Sequence, residues 1–162
     1  MTREYYYLDA NYLIAYLARR QSKDFRKRLN IDKDQENKAN KVISSLTSSR
    51  IKVSIFVLAE LIMKIKEKGI NVGALILCAD FEVAMLRRGD INNFIKALGE
   101  LVRDELLEEM DSIIVAHAIS SSECKGLLTF DRKLINSRSV TEVNREINGS
   151  KPIVITSDPF NN

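Results

Sequence analysis

The sequence predicts an α/β protein in three layers, with a mostly parallel central sheet covered by helices on both faces. Two observations carry this. Along the chain the apolar pattern alternates between strand-like runs and helical spacing, which implies βαβ units. With 162 residues, 45% of them hydrophobic, there is material for one well-packed domain, while only 2 prolines and 6 glycines argue against a turn-rich all-β fold.

The elements follow in order. Tyr5-Tyr6-Tyr7-Leu8-Asp9 is a first strand, and Asn11 to Ala18 a helix with Asn11 as a plausible N-cap. Ala39, Val42, Ile43 and Leu46 fall at i, i+3, i+4 and i+7, one face of a second helix that Asp32 or Asp34 can cap. Ile51 to Ile55 reads as a short strand, and Phe56 to Lys68 as a helix ended by Gly69. Val72 to Ala79 fits either a short helix or a buried strand. Phe81 to Leu86 is a further strand. Asp90 caps an amphipathic helix marked by Ile91, Phe94, Ile95, Leu98, Leu101 and Val102. Ser112 to Ile119 is apolar almost all round and so a buried helix, and Leu127 to Phe130 and Ile153 to Ile155 supply the last strands. Residues 1–156 thus form a single domain, with 157–162 as a C-terminal tail.

Charge is mildly basic, +3 from 25 basic and 22 acidic residues, which permits a nucleic-acid partner without requiring one. The distribution is more telling. Arg19, Arg20, Lys23, Arg26, Lys27 and Arg28 cluster after the first helix, either as a phosphate-binding surface or as a solvated face. Cys78 and Cys124 have no C-x-x-C partner, so a zinc knuckle and a redox pair are excluded, and both are expected to be reduced thiols of a cytoplasmic protein. Met1-Thr2-Arg3-Glu4 leads into a strand and not into an apolar signal core. No apolar run approaches the ~20 residues that a bilayer requires, so no membrane role is expected.

Four carboxylates stand where such a fold would build a site: Asp9, Glu60, Asp111 and Asp131. Ligand sites of open parallel sheets form beyond the carboxyl ends of the strands, and three of the four acids flank expected strand ends. Each alone has a structural alternative. Asp9 can cap a helix, Glu60 can be a solvated flank of its apolar stripe, Asp111 can be the favourable anion at a helix start, and Asp131 can be a turn residue. Together they point to one crevice. Clustered carboxylates raise each other's pKa unless a cation neutralises them, and oxygen-only ligands suit Mg²⁺ or Mn²⁺.

Other chemistries find little support. His117 is the single histidine, set in Val115-Ala116-His117-Ala118, and reads as a packed helix residue. Neither G-x-G-x-x-G nor G-x-x-x-x-G-K-[ST] occurs. A haloacid-dehalogenase-type phosphatase wants an aspartate where Asn11 stands.

With these pieces placed, the chain resembles the PIN-domain nucleases over nearly its whole length. Leu8-Asp9-Ala10-Asn11-Tyr12-Leu13-Ile14 is similar to the family's opening D-x-N motif. Ser54 to Leu61 is similar to its central helix with the second acid. Asp111-Ser112-Ile113-Ile114-Val115-Ala116-His117-Ala118 is similar to its D-[AS]-x-x-x-A-x-A helix, and Leu127 to Leu134 to its closing T-x-D element. The resemblance implies a compact domain, often a homodimer, that hydrolyses RNA with Mg²⁺ or Mn²⁺. Many members are toxins of VapBC toxin–antitoxin pairs, so an antitoxin partner is expected. A housekeeping RNA-processing nuclease and a non-catalytic binding module are the alternatives. The long basic stretch from Arg19 to Lys41 is less typical of the family.

On this reading Asp9, Glu60 and Asp111 ligate or orient one metal, and Asp131 shapes a second position. The Thr129 hydroxyl either supports water at the metal or bridges strands. Asn11 divides in the same way between N-cap and supporting residue.

Overall fold

The computed structural model describes residues 3–47, 50–71, 73 and 80–161. Apart from residue 73, the stretch from Val72 to Ala79 lies outside them, as does Cys78.

The described residues form one five-stranded, all-parallel sheet: β1 (Tyr5–Leu8), β2 (Ile51–Ser54), β3 (Glu82–Ala84), β4 (Cys124–Leu128) and β5 (Val154–Thr156), in the order β3-β2-β1-β4-β5. The helices are α1 (Ala10–Ala18), α2 (Lys23–Arg28), α3 (Lys33–Leu46), α4 (Ile55–Glu67), α5 (Ile91–Leu101), α6 (Glu109–Ser120), α7 (Arg132–Ile135) and α8 (Arg138–Asn148). α1 packs on α3, and α5, α6 and α8 pack on one another, while α4 touches both α1 and α6. The three-layer α/β/α expectation holds. Parallel strands buried on both faces need continuous apolar runs. β1 and β4 supply them, since Tyr7, Leu8, Leu127 and Leu128 are all fully buried. Among the described residues, no helix is long and apolar enough to cross a membrane.

The strand order places the site. The chain builds outward from β1 through β2 to β3, then returns to lay β4 on the other side of β1 and β5 beyond it. Crossovers therefore leave the sheet in opposite directions between β1 and β4, which opens a crevice at their carboxyl ends. Asp9 follows β1 there, and Thr129 and Asp131 follow β4.

Several local expectations need correction. Asn11 is not the N-cap of α1. Asp9 is, with extended backbone and its Oδ1 accepting from the Ala10 amide at 2.7 Å. Asp90 holds the N-cap position of α5, but a 3-10 turn (Arg88–Asp90) runs straight into the helix and leaves Asp90 in helical geometry. Its carboxylate accepts from Ser122 instead. Asp32, of the two candidates, caps α3. α8 was not expected, although Ser137 caps it and Val140, Val143 and Asn144 form its buried face.

Most buried polar side chains are paired. Lys52, 4% exposed, donates to both oxygens of Glu123 at 3.1 Å and bridges Glu82 at 3.0 Å. Glu123 also receives the Tyr7 hydroxyl and Arg87. A buried ion pair is tolerable only when its spare donors and acceptors are met in this way. His117 is buried as expected, with Nδ1 2.7 Å from the Ser54 hydroxyl and its ring edge-on to Phe56.

Candidate active site

Asp9 anchors the site. It is 2% exposed, and besides the Ala10 amide its Oδ2 accepts from the Thr129 hydroxyl at 2.7 Å. Thr129 Oγ1 in turn accepts from the Asp131 amide at 3.0 Å, so one hydroxyl ties the end of β1 to the loop after β4. Asn11 adds a second tie, its Oδ1 accepting from the Phe130 amide at 3.3 Å. Both residues thus position the loop that carries Asp131.

Glu60 does not flank a strand end. It lies in the second turn of α4, where burial, not solvation, is its setting: it is 8% exposed. Its Oε1 meets Lys64 Nζ at 2.5 Å, one helical turn on, and its buried Oε2 has no hydrogen-bond partner. Asp111 stands in the first turn of α6, and its neighbour Ser112 has a buried hydroxyl that is likewise unpartnered. Asp131 caps α7 through Lys133, leaving its other oxygen outside that bond.

The four acids share one electrostatic neighbourhood. Burial raises the Asp9 carboxyl to about 6, with Glu60 adding to the rise and the Thr129 hydrogen bond opposing it. Burial also lifts Asp111 to about 7, helped by the charges of Asp9, Glu60, Asp131 and Glu108. Lys64 is the cation that sequence reading missed. Burial works against its ammonium, but the Glu60 hydrogen bond and the charges of Glu60, Asp9 and Asp111 outweigh that and hold its pKa above the ordinary lysine value. Its signal was the i,i+4 spacing from Glu60.

Among the described residues, no three His, Cys, Asp or Glu side chains converge closely enough to enclose an ion as they stand. Glu60 is drawn toward Lys64 instead. The donor set still fits a hard divalent cation: every acid offers oxygen, and Glu60 Oε2 is a buried acceptor with its bond unmet.

The basic segment divides. Arg26 is structural, donating from Nε to the Ala18 carbonyl at 3.0 Å and so closing the end of α1. Arg20 bridges Asp80, and Arg28 bridges Asp24 while donating to the Lys68 and Gly69 carbonyls. Arg19, Lys23 and Lys27 are exposed. Of the six, Arg28 lines the cavity that adjoins Asn11 and Lys64.

Comparison with known proteins gives one family. The model of the PIN domain matches residues 6–138, which takes in all four acids and ends where α8 begins. No curated protein matches the chain.

Proposed function

The chain belongs to the PIN-domain family, whose members are generally nucleases, and we propose that it is a divalent-metal-dependent ribonuclease that hydrolyses phosphodiester bonds of RNA. The observation that carries this reading is unmet negative charge at the switch point. Asp9 and Glu60 are buried, Glu60 Oε2 lacks a partner, and Lys64 is the cation ion-paired within the cluster.

Asp9, Glu60 and Asp111 would hold the ion, Mg²⁺ or Mn²⁺, with Asp131 at the margin of the site. When bound, such an ion stabilises charge developing on the phosphoryl group and acidifies a water at neutral pH. The chain's own residues do the rest. Thr129 fixes the Asp9 carboxylate, so the acid does not reorganise during the reaction. Asn11 holds Phe130 and hence the approach of Asp131. Lys64, paired with Glu60 beside these acids, would offer its ammonium to a phosphate oxygen of the substrate.

The fitting biological role is the toxin of a VapBC-type pair acting in the cytoplasm, with an antitoxin as partner. A homodimer accords with the exposed stripe of Ile91 and Ile95 on α5 and Val102 just after it, an apolar face of the kind that marks protein contacts. A housekeeping RNA-processing role would use the same residues. An adjacent small reading frame with a DNA-binding start would favour the toxin.

The test is cleavage of RNA by metal-stripped protein with Mg²⁺, with Mn²⁺ and with EDTA. Cleavage should need the ion. Undiminished cleavage in EDTA would sink the mechanism.

A further inference from the structure

Two open cavities flank the carboxylate cluster. The first, of about 420 Å³, has Ile14, Leu29 and Ile31 as its apolar wall, with Arg28, Lys64 and Lys68 around it. The second, of about 580 Å³, is walled by Phe130 and Ile135, with Lys38 and Arg132 as its cations. Both volumes fall in the ~300–1,000 Å³ range of sites that hold small-molecule-sized groups. The cavities are joined by one shared wall residue and one hydrogen bond. Gln35 lines both, Asn11 lines the first and Phe130 the second, and the Phe130 amide donates to Asn11.

The first cavity sets Arg28, Lys64 and Lys68 against Glu67 and reaches the acids through the Lys64–Glu60 pair, whereas the second balances Lys38 and Arg132 against Asp32 and Asp34. The cationic first cavity suits a phosphate of a strand, and the second, with Lys38 and Arg132 beside the Phe130 wall, suits a base and its neighbouring phosphate. On the second wall Asp32 Oδ1 accepts from the Asp34 amide at 2.7 Å. Lys38 is held in place by the Ser157 hydroxyl at 3.0 Å. Concave apolar walls fit unpaired bases, whereas a duplex keeps its bases stacked inside. The Phe130 ring is backed by Tyr12, stacked at 4.4 Å, which makes it a firm platform for a base. Gln35 forms no side-chain hydrogen bond among the described residues, so its amide is available to a base edge.

We infer that the two cavities are successive subsites of a single-stranded RNA path crossing the carboxylate cluster, with Phe130 stacking one base and Gln35 reading a base edge at the crossing. This rests on the ribonuclease reading and adds the course of the strand and the residues that set its preference.

The test uses the full chain. Cleavage of a mixed-sequence single-stranded RNA is measured on the parent. Binding of the same fluorescein-labelled RNA is then measured with Mg²⁺ in an Asp111→Asn background, where turnover does not interfere. Adding Lys38→Gln with Arg132→Gln, or Lys68→Gln alone, should weaken binding at low salt. Each lost phosphate contact should flatten the slope of log affinity against log salt by ~0.7. Lys23→Gln, exposed and outside both cavities, should leave the slope unchanged. Phe130→Leu should weaken binding about tenfold for every sequence, and Gln35→Ala should alter the ranking of homopolymers while keeping the salt slope. The same sequence as a duplex should bind less tightly. A duplex that competes equally overturns the path. So does an unchanged slope in the cavity variants, which would assign the groove to a protein partner. Cleavage by the parent combined with parent-like binding by the variants removes the path alone, whereas a parent that neither binds nor cleaves removes the ribonuclease reading as well.

Discussion

Thr129 shows how much a single hydroxyl can hold. It satisfies the buried Asp9 Oδ2 and is itself the acceptor for the Asp131 amide. Thr129→Val keeps the shape but strands both groups, and a buried unmet polar group costs about 1–3 kcal/mol. We expect a lower urea midpoint for Thr129→Val and recovery in Thr129→Ser. The acids make a second prediction. Both raised carboxyls, Asp9 at about 6 and Asp111 at about 7, lie above their ordinary 3.8, so the native state binds protons that the unfolded chain has released. Their contribution is complete below the unfolded value and is lost as pH rises through the folded ones, from about 4 to about 7. For the buried Asp9 this amounts to about 3 kcal/mol. In EDTA the melting temperature should therefore fall between pH 5 and pH 8. Asp111→Asn, which removes one crowded charge, should abolish cleavage yet melt above the parent at pH 8. A metal-free parent that melts higher at pH 8 than at pH 5 would contradict the account. At this scale the sequence picked out the four acids that the fold brings into one electrostatic neighbourhood, but not how they pair. The sequence left the cap open between Asn11 and Asp9, and the i,i+4 spacing of Glu60 and Lys64 did not by itself show that the pair is partly buried.

Among the elements, β4 is the most tightly fitted. A Cβ on Gly126 would come 2.7 Å from the Val154 carbonyl oxygen and 2.9 Å from Tyr6 Cε1. The carbonyl belongs to the neighbouring strand and has little room to yield. Gly126→Ala should thus destabilise by about 1–3 kcal/mol, seen as a lower denaturant midpoint. The end of α1 gives a complementary case. Arg26→Gln removes the donor to the Ala18 carbonyl, so it should lower stability by about 1 kcal/mol while leaving the salt dependence of RNA binding intact. The strands and the helices α3, α4, α5 and α6 were legible because each carries an unbroken apolar period. α8 was overlooked for a physical reason: polar residues dominate it, and its buried face is only Val140, Val143 and Asn144. Asn144 is a polar member of that face, since it bonds both the amide and the carbonyl of Ile153 and so sets the approach to β5.

For the whole molecule, the strand order explains why acids so far apart in sequence are neighbours. β1 and β4 are adjacent, so the residues that follow them share the switch point. A spacing pattern reveals this only through the family it resembles, because parallel pairing leaves no local signature. An ion that binds the folded chain alone stabilises it by mass action. Mg²⁺ or Mn²⁺ should therefore raise the melting temperature of the parent and have a smaller effect on Asp9→Asn. Association belongs to this scale too. Ile95, 63% exposed on the α5 stripe, should break the proposed homodimer as Ile95→Glu, read as a halved mass by sedimentation equilibrium. An unchanged mass would place any contact elsewhere.

His117 has a use apart from chemistry. It is the chain's single histidine, and burial holds its pKa below the ordinary value. Its ring lies where β2, α4, α5 and α6 meet, against Ser54, Phe56 and Phe94. In a proton or nitrogen NMR spectrum it would give one isolated set of imidazole signals, needing no label placement. Those signals should move less between pH 6 and 8 than those of a free histidine, which titrates there. They should move when the packing of those four elements changes, which makes them a built-in gauge for every variant named above.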